Sequence, residues 1–173
     1  MGSNRRKGSE IIMAKKSKKK ICFICSSGGH FSELKNLKSL ASKYDSFLVT
    51  EKVENLKTDF SEKIYLVRET NRKEKMFLLH FFLVALKQLT IFIKERPTHI
   101  VTTGALTSYP MIRIAKIFKR KVIYIESYAR VYDLSLTGQK VYKYADLFLV
   151  QWPELAEKYE KAIYTGAFYG GEC

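Results

Sequence analysis

The fold is decided by one stretch near the start of the chain, Ile21-Cys22-Phe23-Ile24-Cys25-Ser26-Ser27-Gly28-Gly29-His30. A short β-branched and aromatic run that breaks into two glycines predicts a buried strand followed by a tight loop. Residues 31–43 continue with apolar side chains at a helical spacing. We therefore expect a strand, a glycine loop and a helix whose first turn presents backbone N–H groups to an anion. Because Gly28 and Gly29 lack side chains, a phosphate can approach the backbone there.

The glycine loop does not identify its ligand by itself. It is not the dinucleotide-binding fingerprint, because the third glycine and the required spacing are absent. A plain turn between a strand and a helix, with His30 near the helix start, explains the same residues. Only the rest of the chain separates the two interpretations.

Strand and helix patterns alternate along the remaining sequence. Further strands are predicted at residues 46–50, 64–67, 98–103, 122–125, 147–150 and 162–164. Helical patterns lie between most of them, which favours an α/β fold with a Rossmann-like, mostly parallel sheet. At 173 residues the chain suits one domain. We place that domain at residues 20–165, between a disordered basic tail at 1–19 and a flexible tail at 166–173.

The net charge of +14 is concentrated at one end of the chain. The first twenty residues carry eight basic side chains and one acidic side chain, so half of the excess lies there. Such a tail binds nucleic acid, binds anionic lipid or remains solvated. No nucleic acid partner is expected, because the aromatic residues fall in predicted strands and core helices rather than in an exposed stacking series. Met1-Gly2-Ser3 resembles an added leader, and Met13 is an alternative start.

The cysteines are interpreted as core residues. Cys22-x-x-Cys25 has the spacing of a thioredoxin-type redox pair, but that pair belongs at a helix N-terminus and these residues lie in the predicted strand. No cluster of histidines and cysteines has the spacing of a metal site, so neither a metal nor a cofactor is expected. The residues before the first strand do not resemble a signal peptide. We therefore expect the protein in the cytosol or at the cytosolic face of a membrane.

The most hydrophobic segment of the chain lies at residues 76–93 and contains Phe77, Phe81 and Phe82. Polar residues inside it, Lys87 among them, disfavour a transmembrane span. Basic residues flank both ends, which suits lipid head groups. Two interpretations remain open. The segment contacts a membrane or a partner through Phe77, Phe81, Phe82 and Lys87, or it is an ordinary buried crossover helix.

Three polar loops follow predicted strands, where ligands bind in open α/β sheets. They lie at residues 26–30, 104–108 and 126–130. Two of them combine glycine with hydroxyl residues, as a diphosphate or sugar site requires. We predict a joint binding site formed by Ser27, Gly28, Gly29, Gly104, Ser108, Glu126 and Arg130.

Glu126 and Arg130 supply the charged groups of this predicted site. Glu126 is placed to accept hydrogen bonds from ligand hydroxyls or to position His30, and Arg130 to pair with a phosphate. The alternatives are that Glu126 pairs with Arg130 and that the threonines of the loops cap the following helices.

Five stretches of the chain together carry a resemblance to a known family. They are Ser26-Ser27-Gly28-Gly29-His30, Thr103-Gly104-Ala105-Leu106-Thr107-Ser108-Tyr109-Pro110, Ile125-Glu126-Ser127-Tyr128-Ala129-Arg130, Leu134-Ser135-Leu136-Thr137-Gly138 and Ala145-Asp146-Leu147-Phe148-Leu149-Val150-Gln151-Trp152-Pro153. In this order they resemble the membrane-side subunit of two-subunit, MurG-like glycosyltransferases, over about residues 20–164. Eukaryotic members of that family help to add the second N-acetylglucosamine to the dolichol-linked glycan precursor. Bacterial members are capsule and exopolysaccharide subunits, including the "enhancer" subunit of a β-1,4-galactosyltransferase.

The resemblance implies the N-terminal half of a GT-B fold, with the UDP-sugar-binding half on a separate polypeptide. It implies that the chain recruits this donor-binding partner and faces a lipid-linked acceptor at an anionic membrane surface. By position, Gly28 and Gly29 match the loop thought to meet the acceptor diphosphate, and His30 matches the histidine considered as general base. The N-terminal transmembrane helix of the eukaryotic pattern is not found here. We therefore expect peripheral attachment at the cytoplasmic face of the cell membrane.

Two functions follow from the sequence. The first is the acceptor-binding and membrane-associating subunit of an inverting glycosyltransferase in polysaccharide biosynthesis, inactive or weakly active alone. The second is a non-catalytic scaffold that anchors and activates a partner transferase.

Overall fold

The computed structural model describes residues 17–53 and 58–167. Most of the two predicted tails therefore lies outside the described residues, as does part of the loop after the second strand. The first strand begins at Ser17, ahead of the predicted domain start at residue 20.

One sheet organises the described part of the chain, and all its neighbouring strands run parallel. Its strands are β1 (Ser17–Ile24), β2 (Tyr44–Glu51), β3 (Ile64–Val67), β4 (His99–Thr102), β5 (Lys121–Ile125), β6 (Leu147–Val150) and β7 (Ala162–Tyr164). Their order across the sheet is β3-β2-β1-β4-β5-β6-β7. Each strand predicted from an apolar run is present, which confirms the α/β fold with a Rossmann-like parallel sheet.

The helices of the described residues are α1 (Gly29–Lys35), α2 (Lys38–Ser42), α3 (Phe77–Glu95), α4 (Tyr109–Ile117), α5 (Leu136–Val141) and α6 (Pro153–Lys158), and a 3-10 helix (Leu106–Ser108) precedes α4. The prediction of one helix at residues 31–43 is wrong, because α1 and α2 are separate. At the break, the N–H groups of Asn36 and Leu37 bond to carbonyls three residues back, not four. This tighter hydrogen bonding ends α1.

Helices cover both faces of the sheet, with α1 and α2 on one face and α3 to α6 on the other. Cys22 and Ile24 join the core under α3 to α6, whereas Phe23 and Cys25 join the core under α1 and α2. The alternation follows from the two-residue period of a strand. Both cysteines are thus core residues, as predicted, and burial raises the pKa of the Cys25 thiol to about 12.

The topology brings the three polar loops to one edge. The chain crosses from β3 to β4 through α3, so the strand order reverses between β1 and β4. The carboxyl ends of β1, β4 and β5 therefore lie side by side. A reversal of this kind opens the crevice in which doubly wound sheets bind ligands.

α3 is packed along one side only. Its buried residues are Val84, Gln88, Ile91, Phe92 and Glu95. The opposite side exposes Leu78, Leu79, Phe82, Leu83 and Leu86, which together we name the apolar face of α3. The helix ends at Arg96, which adopts the left-handed conformation at φ 49°, and Pro97 follows.

Candidate functional site

His30 lies at the start of α1 and is held by the loop that follows β4. Its Nδ1 atom is 2.8 Å from the carbonyl oxygen of Thr103, and the Thr103 hydroxyl donates a 2.7 Å hydrogen bond to the His30 carbonyl oxygen. A carbonyl oxygen only accepts hydrogen bonds, so Nδ1 is the protonated nitrogen of the neutral ring. Nε2 then carries the lone pair and has no hydrogen-bond partner among the described residues. This arrangement suits a general base.

The glycine loop leads directly into His30. Gly28 has a φ of 76°, a conformation that residues with side chains rarely adopt, and it precedes the first residue of α1. Both Gly28 and Gly29 are exposed, and a Cβ atom added to either would meet nothing within 4 Å. A ligand can therefore reach the backbone of this loop, as the sequence predicts.

Gly104 brings the loop after β4 against the histidine. A Cβ atom added to Gly104 would stand 2.9 Å from the Tyr124 hydroxyl and 3.4 Å from His30 Cε1, and its φ of 102° also favours glycine. The next residue, Ala105, has a φ of 72°, a strained value for an alanine. Ser108 is buried, and its hydroxyl donates to the Ala105 carbonyl oxygen at 2.7 Å. Its hydroxyl thus holds the local turn.

Glu126 is fully buried at the end of β5 and holds the loop that follows it. Its Oε1 accepts from the Ser127 N–H at 3.0 Å, and its Oε2 accepts from the N–H and hydroxyl of Ser135 at 3.0 and 3.2 Å. Burial raises the pKa of the Glu126 carboxyl, and the hydrogen bonds from Ser127 and Ser135 act against that rise. A Cβ atom added to Gly138 would overlap Glu126 Oε2, so glycine is required there.

Glu126 makes neither the predicted contact with His30 nor the alternative ion pair with Arg130. Its carboxylate makes no hydrogen bond to His30 and no ion pair with Arg130, although all three residues are described. The Arg130 side chain is exposed, and its N–H bonds to the Ser127 carbonyl oxygen at 2.9 Å. The side chain of Arg130 is thus not buried in the fold.

Two buried carboxylates at this edge, Glu33 and Glu51, are not among the residues predicted from the sequence. Glu33 of α1 accepts from the Ser127 hydroxyl at 2.9 Å and from the Tyr128 N–H at 3.1 Å, which ties α1 to the loop after β5. Glu51 ends β2 and accepts from both the N–H and the hydroxyl of Ser27. A charged residue that interrupts an apolar helix face or directly ends a buried strand is the signal that could have found them.

The predicted contact residues on α3 divide between its two sides. Phe82 is 57% exposed and belongs to the apolar face of α3, and Lys87 is also exposed. Phe77 and Phe81 are half-buried and stack on each other, with ring centroids 5.6 Å apart. By length and composition α3 is able to cross a membrane. Only 22% of its most apolar 18-residue segment is buried.

The fold is shared with longer solved structures. MurG from Acinetobacter baumannii gives a TM-score of 0.70 at 11% sequence identity, over 85% of this chain and 45% of that chain. UDP-N-acetylglucosamine 2-epimerase from Rickettsia bellii gives a TM-score of 0.65 at 16% identity, over 87% of this chain and 45% of that one. The chain thus spans less than half the length of these structures. By its fold, this chain is a Rossmann-like domain equivalent to one half of a GT-B fold.

Sequence comparison identifies the family. Residues 14–168 match the family described as "Oligosaccharide biosynthesis protein Alg14 like". The chain belongs to this Alg14 family. The UDP-N-acetylglucosamine transferase subunit ALG14 of Yarrowia lipolytica is 32% identical over 184 residues, which cover 90% of this chain and 84% of that protein. The ALG14 subunit of Debaryomyces hansenii is 28% identical over 193 residues, or 96% of this chain and 83% of that protein.

These relatives confirm the eukaryotic branch of the resemblance. The human ALG14 subunit adds a shorter match, 35% identical over 79 residues, which cover 42% of this chain and 37% of that protein. The capsule and exopolysaccharide branch is not represented among the relatives named above and stays a prediction.

Proposed function

We propose that the chain is the acceptor-side subunit of a two-chain, inverting glycosyltransferase. The complex transfers N-acetylglucosamine from UDP-N-acetylglucosamine to an acceptor carried on a lipid diphosphate. The donor-binding half is a separate partner chain. Membership of the Alg14 family supports this proposal, and so does its similarity to a UDP-N-acetylglucosamine transferase subunit.

The observation that carries the proposal is the hydrogen bond between His30 Nδ1 and the Thr103 carbonyl oxygen. In the neutral ring it leaves the lone pair on Nε2. In the reaction, Nε2 takes the proton from the acceptor hydroxyl while that oxygen attacks the anomeric carbon of the donor sugar. The bond from that carbon to the UDP oxygen breaks on the opposite face, so the configuration inverts. UDP leaves on the partner's side of the cleft.

The acceptor diphosphate lies against the glycine loop in this proposal. Gly28 and Gly29 let phosphate oxygens approach the backbone. Because Gly104 has no side chain, the space beside His30 is not filled by a Cβ atom. Arg130 is exposed at the same edge and supplies a positive charge. The Ser27 hydroxyl donates to the Glu51 carboxylate, and the Ser108 hydroxyl donates to the Ala105 carbonyl oxygen. Both serines therefore shape the site.

The apolar face of α3 provides the membrane contact. Leu78 and Phe82 are 79% and 57% exposed, which leaves apolar area in water that a lipid interface would cover. The other side of α3 is packed on the sheet, so the helix lies in the interface instead of crossing the bilayer. Exposed Lys87 and the basic residues before the helix meet anionic head groups at the cytoplasmic face.

The scaffold function is the second candidate. The inward direction of the Glu126 and Ser108 side chains favours it, because neither group is available to a substrate. In that case the chain anchors and activates the partner, and His30 has no role in proton transfer.

The test is reconstitution. The chain, its co-purified partner and the complex are each supplied with radiolabelled UDP-N-acetylglucosamine and a lipid-diphosphate-linked N-acetylglucosamine in vesicles. We expect transfer by the complex and transfer below a hundredth of that rate by either chain alone. Full transfer by this chain without a partner would overturn the proposal, and so would a complex that transfers no sugar.

A further inference from the structure

Glu51 connects three loops at the carboxyl edge of the sheet. Its Oε2 accepts from the Ser27 N–H at 3.3 Å and from the Ser27 hydroxyl at 3.4 Å. Its Oε1 accepts from the Thr70 N–H at 3.0 Å and from the Thr107 hydroxyl. One carboxylate therefore takes donors from the loops that follow β1, β3 and β4. The side chain is 4% exposed, so water does not replace these donors.

The same network reaches the helix that carries the apolar face. Gln88 is fully buried on the packed side of α3, and its Nε2 donates to the Thr107 carbonyl oxygen at 2.7 Å. The Thr107 hydroxyl in turn donates to Glu51 and lies 3.1 Å from the Thr70 hydroxyl. A continuous series of hydrogen bonds thus joins α3 to the glycine loop.

The glycine loop needs such an anchor. Gly28 and Gly29 are exposed and have no side chains, so packing cannot fix the loop conformation. The N–H of Ser27, the residue before Gly28, bonds to Glu51. At the other end, the Ser32 N–H bonds to the Gly28 carbonyl oxygen at 3.0 Å as α1 begins.

We propose that Glu51 is a positioning residue that sets the conformation of the glycine loop for the acceptor diphosphate. It does not touch the reacting atoms. It holds Ser27, so that Gly28 and Gly29 keep the conformation in which their backbone meets the ligand. This inference rests on the proposed function for its kinetic consequence, although the effect on the loop itself does not.

The first test is Glu51→Gln in the reconstituted complex. A carboxamide has only one accepting oxygen, so it places an NH2 group against the donors of Ser27 or of Thr70 and Thr107. We expect kcat/KM for the lipid-linked acceptor to fall at least about tenfold, as misplaced binding groups do. The KM for UDP-N-acetylglucosamine should stay within about twofold, because the partner binds the donor.

Glu95→Gln is the matched control. Glu95 is also a buried carboxylate, 5% exposed, but it bonds to Lys20 and Tyr65 at the opposite, amino edge of the sheet. We expect this variant to lower the unfolding temperature and to leave both KM values unchanged. Equal acceptor kinetics in the two variants would show that Glu51 has only a structural role and would overturn the inference.

A second measurement does not depend on activity. In the isolated chain labelled with 15N-glycine, Glu51→Gln should shift or broaden the amide signals of Gly28 and Gly29 and leave that of Gly166 unchanged. Unchanged Gly28 and Gly29 signals would overturn the inference even if the complex is active. If the complex transfers no sugar at all, the proposed function fails and the glycine signals still decide this point.

If the Glu51→Gln variant does not fold, Thr107→Val replaces it in both measurements. It keeps the shape of Thr107 and the carboxylate, and removes one of the four donors to Glu51. We expect a smaller shift of the same two glycine signals and a smaller loss of acceptor kcat/KM. No change in either measurement would contradict the positioning role.

Discussion

The Nδ1 atom of His30 lies 2.8 Å from the carbonyl oxygen of Thr103, a residue that follows β4 and is distant in the chain. The Thr103 hydroxyl returns a hydrogen bond to the backbone of His30. This reciprocal pair fixes both the ring orientation and the tautomer. In the neutral ring the lone pair is therefore carried by Nε2.

His30→Ala should reduce kcat of the reconstituted complex by about a hundredfold to ten-thousandfold, the usual contribution of a general base. Assembly with the partner should be intact by gel filtration, because His30 is partly exposed at the site and not in a core cluster. His99→Asn is the control, since His99 lies at the amino end of β4 and should leave kcat unchanged. Full activity of His30→Ala would instead favour the scaffold function.

Gly138→Ala should destabilise the fold by about 3 kcal/mol, because the added methyl group overlaps the buried carboxylate of Glu126. Gly29→Ala is the matched control. Its added methyl group meets nothing within 4 Å, and alanine favours a helix, so its free energy of unfolding should change by less than about 1 kcal/mol. Urea unfolding of the isolated chain measures both variants. Equal stability of the two would show that Glu126 does not occupy the position described.

Low pH should lower the free energy of unfolding, because Glu95 becomes protonated. Burial raises the pKa of this carboxyl, but hydrogen bonds from Lys20 and Tyr65 and the nearby ammonium charges outweigh burial and hold the pKa at about 2. The ionised form is thus favoured by folding. Its contribution, roughly 2 to 3 kcal/mol, is fully present above about pH 4.5 and is lost as the pH falls towards 2.

The corresponding measurement compares Glu95→Gln with the natural chain by urea unfolding at several pH values. At pH 7 the variant should be less stable by about 3 kcal/mol, because a buried ion pair has lost one partner. The difference should shrink as the pH falls below about 4.5. A difference that stays constant between pH 7 and pH 3 would contradict the ionic role of Glu95.

Replacing Leu78 and Phe82 together by serine should weaken binding to vesicles that contain anionic lipid by at least about tenfold, since two exposed apolar side chains are lost from the interface. The unfolding temperature should not fall, because both side chains lie on the exposed apolar face of α3. Ile163→Ser is the control, because Ile163 is similarly exposed on the edge strand β7. Sedimentation with vesicles measures all three proteins. Equal binding by the double variant and the control would exclude this face as the membrane contact.

The architecture could be predicted because its signals are local. The strands are short apolar runs, and the loops at their ends are marked by glycine and hydroxyl residues, so periodicity and turn chemistry sufficed. The break between α1 and α2 was missed because it depends on hydrogen bonds between residues three apart, which apolar spacing does not report.

The network of buried carboxylates could not be predicted in the same way. Glu33 meets Ser127 across 94 residues of sequence, and Glu51 meets Thr107 across 56. Burial of these glutamates is stabilised only after the sheet has assembled and brought the donors to them. The inward direction of Ser108 depends on Ala105 at a positive φ, which is not expected of a residue with a side chain.

In the proposed complex this chain holds the acceptor and its partner holds the donor. Equilibrium binding to the isolated chain in vesicles tests it most directly, with a radiolabelled lipid-diphosphate-linked N-acetylglucosamine and, separately, radiolabelled UDP-N-acetylglucosamine. We expect saturable binding of the lipid-linked sugar, weakened by Glu51→Gln and unaffected by Glu95→Gln, and no saturable binding of the nucleotide sugar. Saturable binding of UDP-N-acetylglucosamine without binding of the lipid-linked sugar would contradict it.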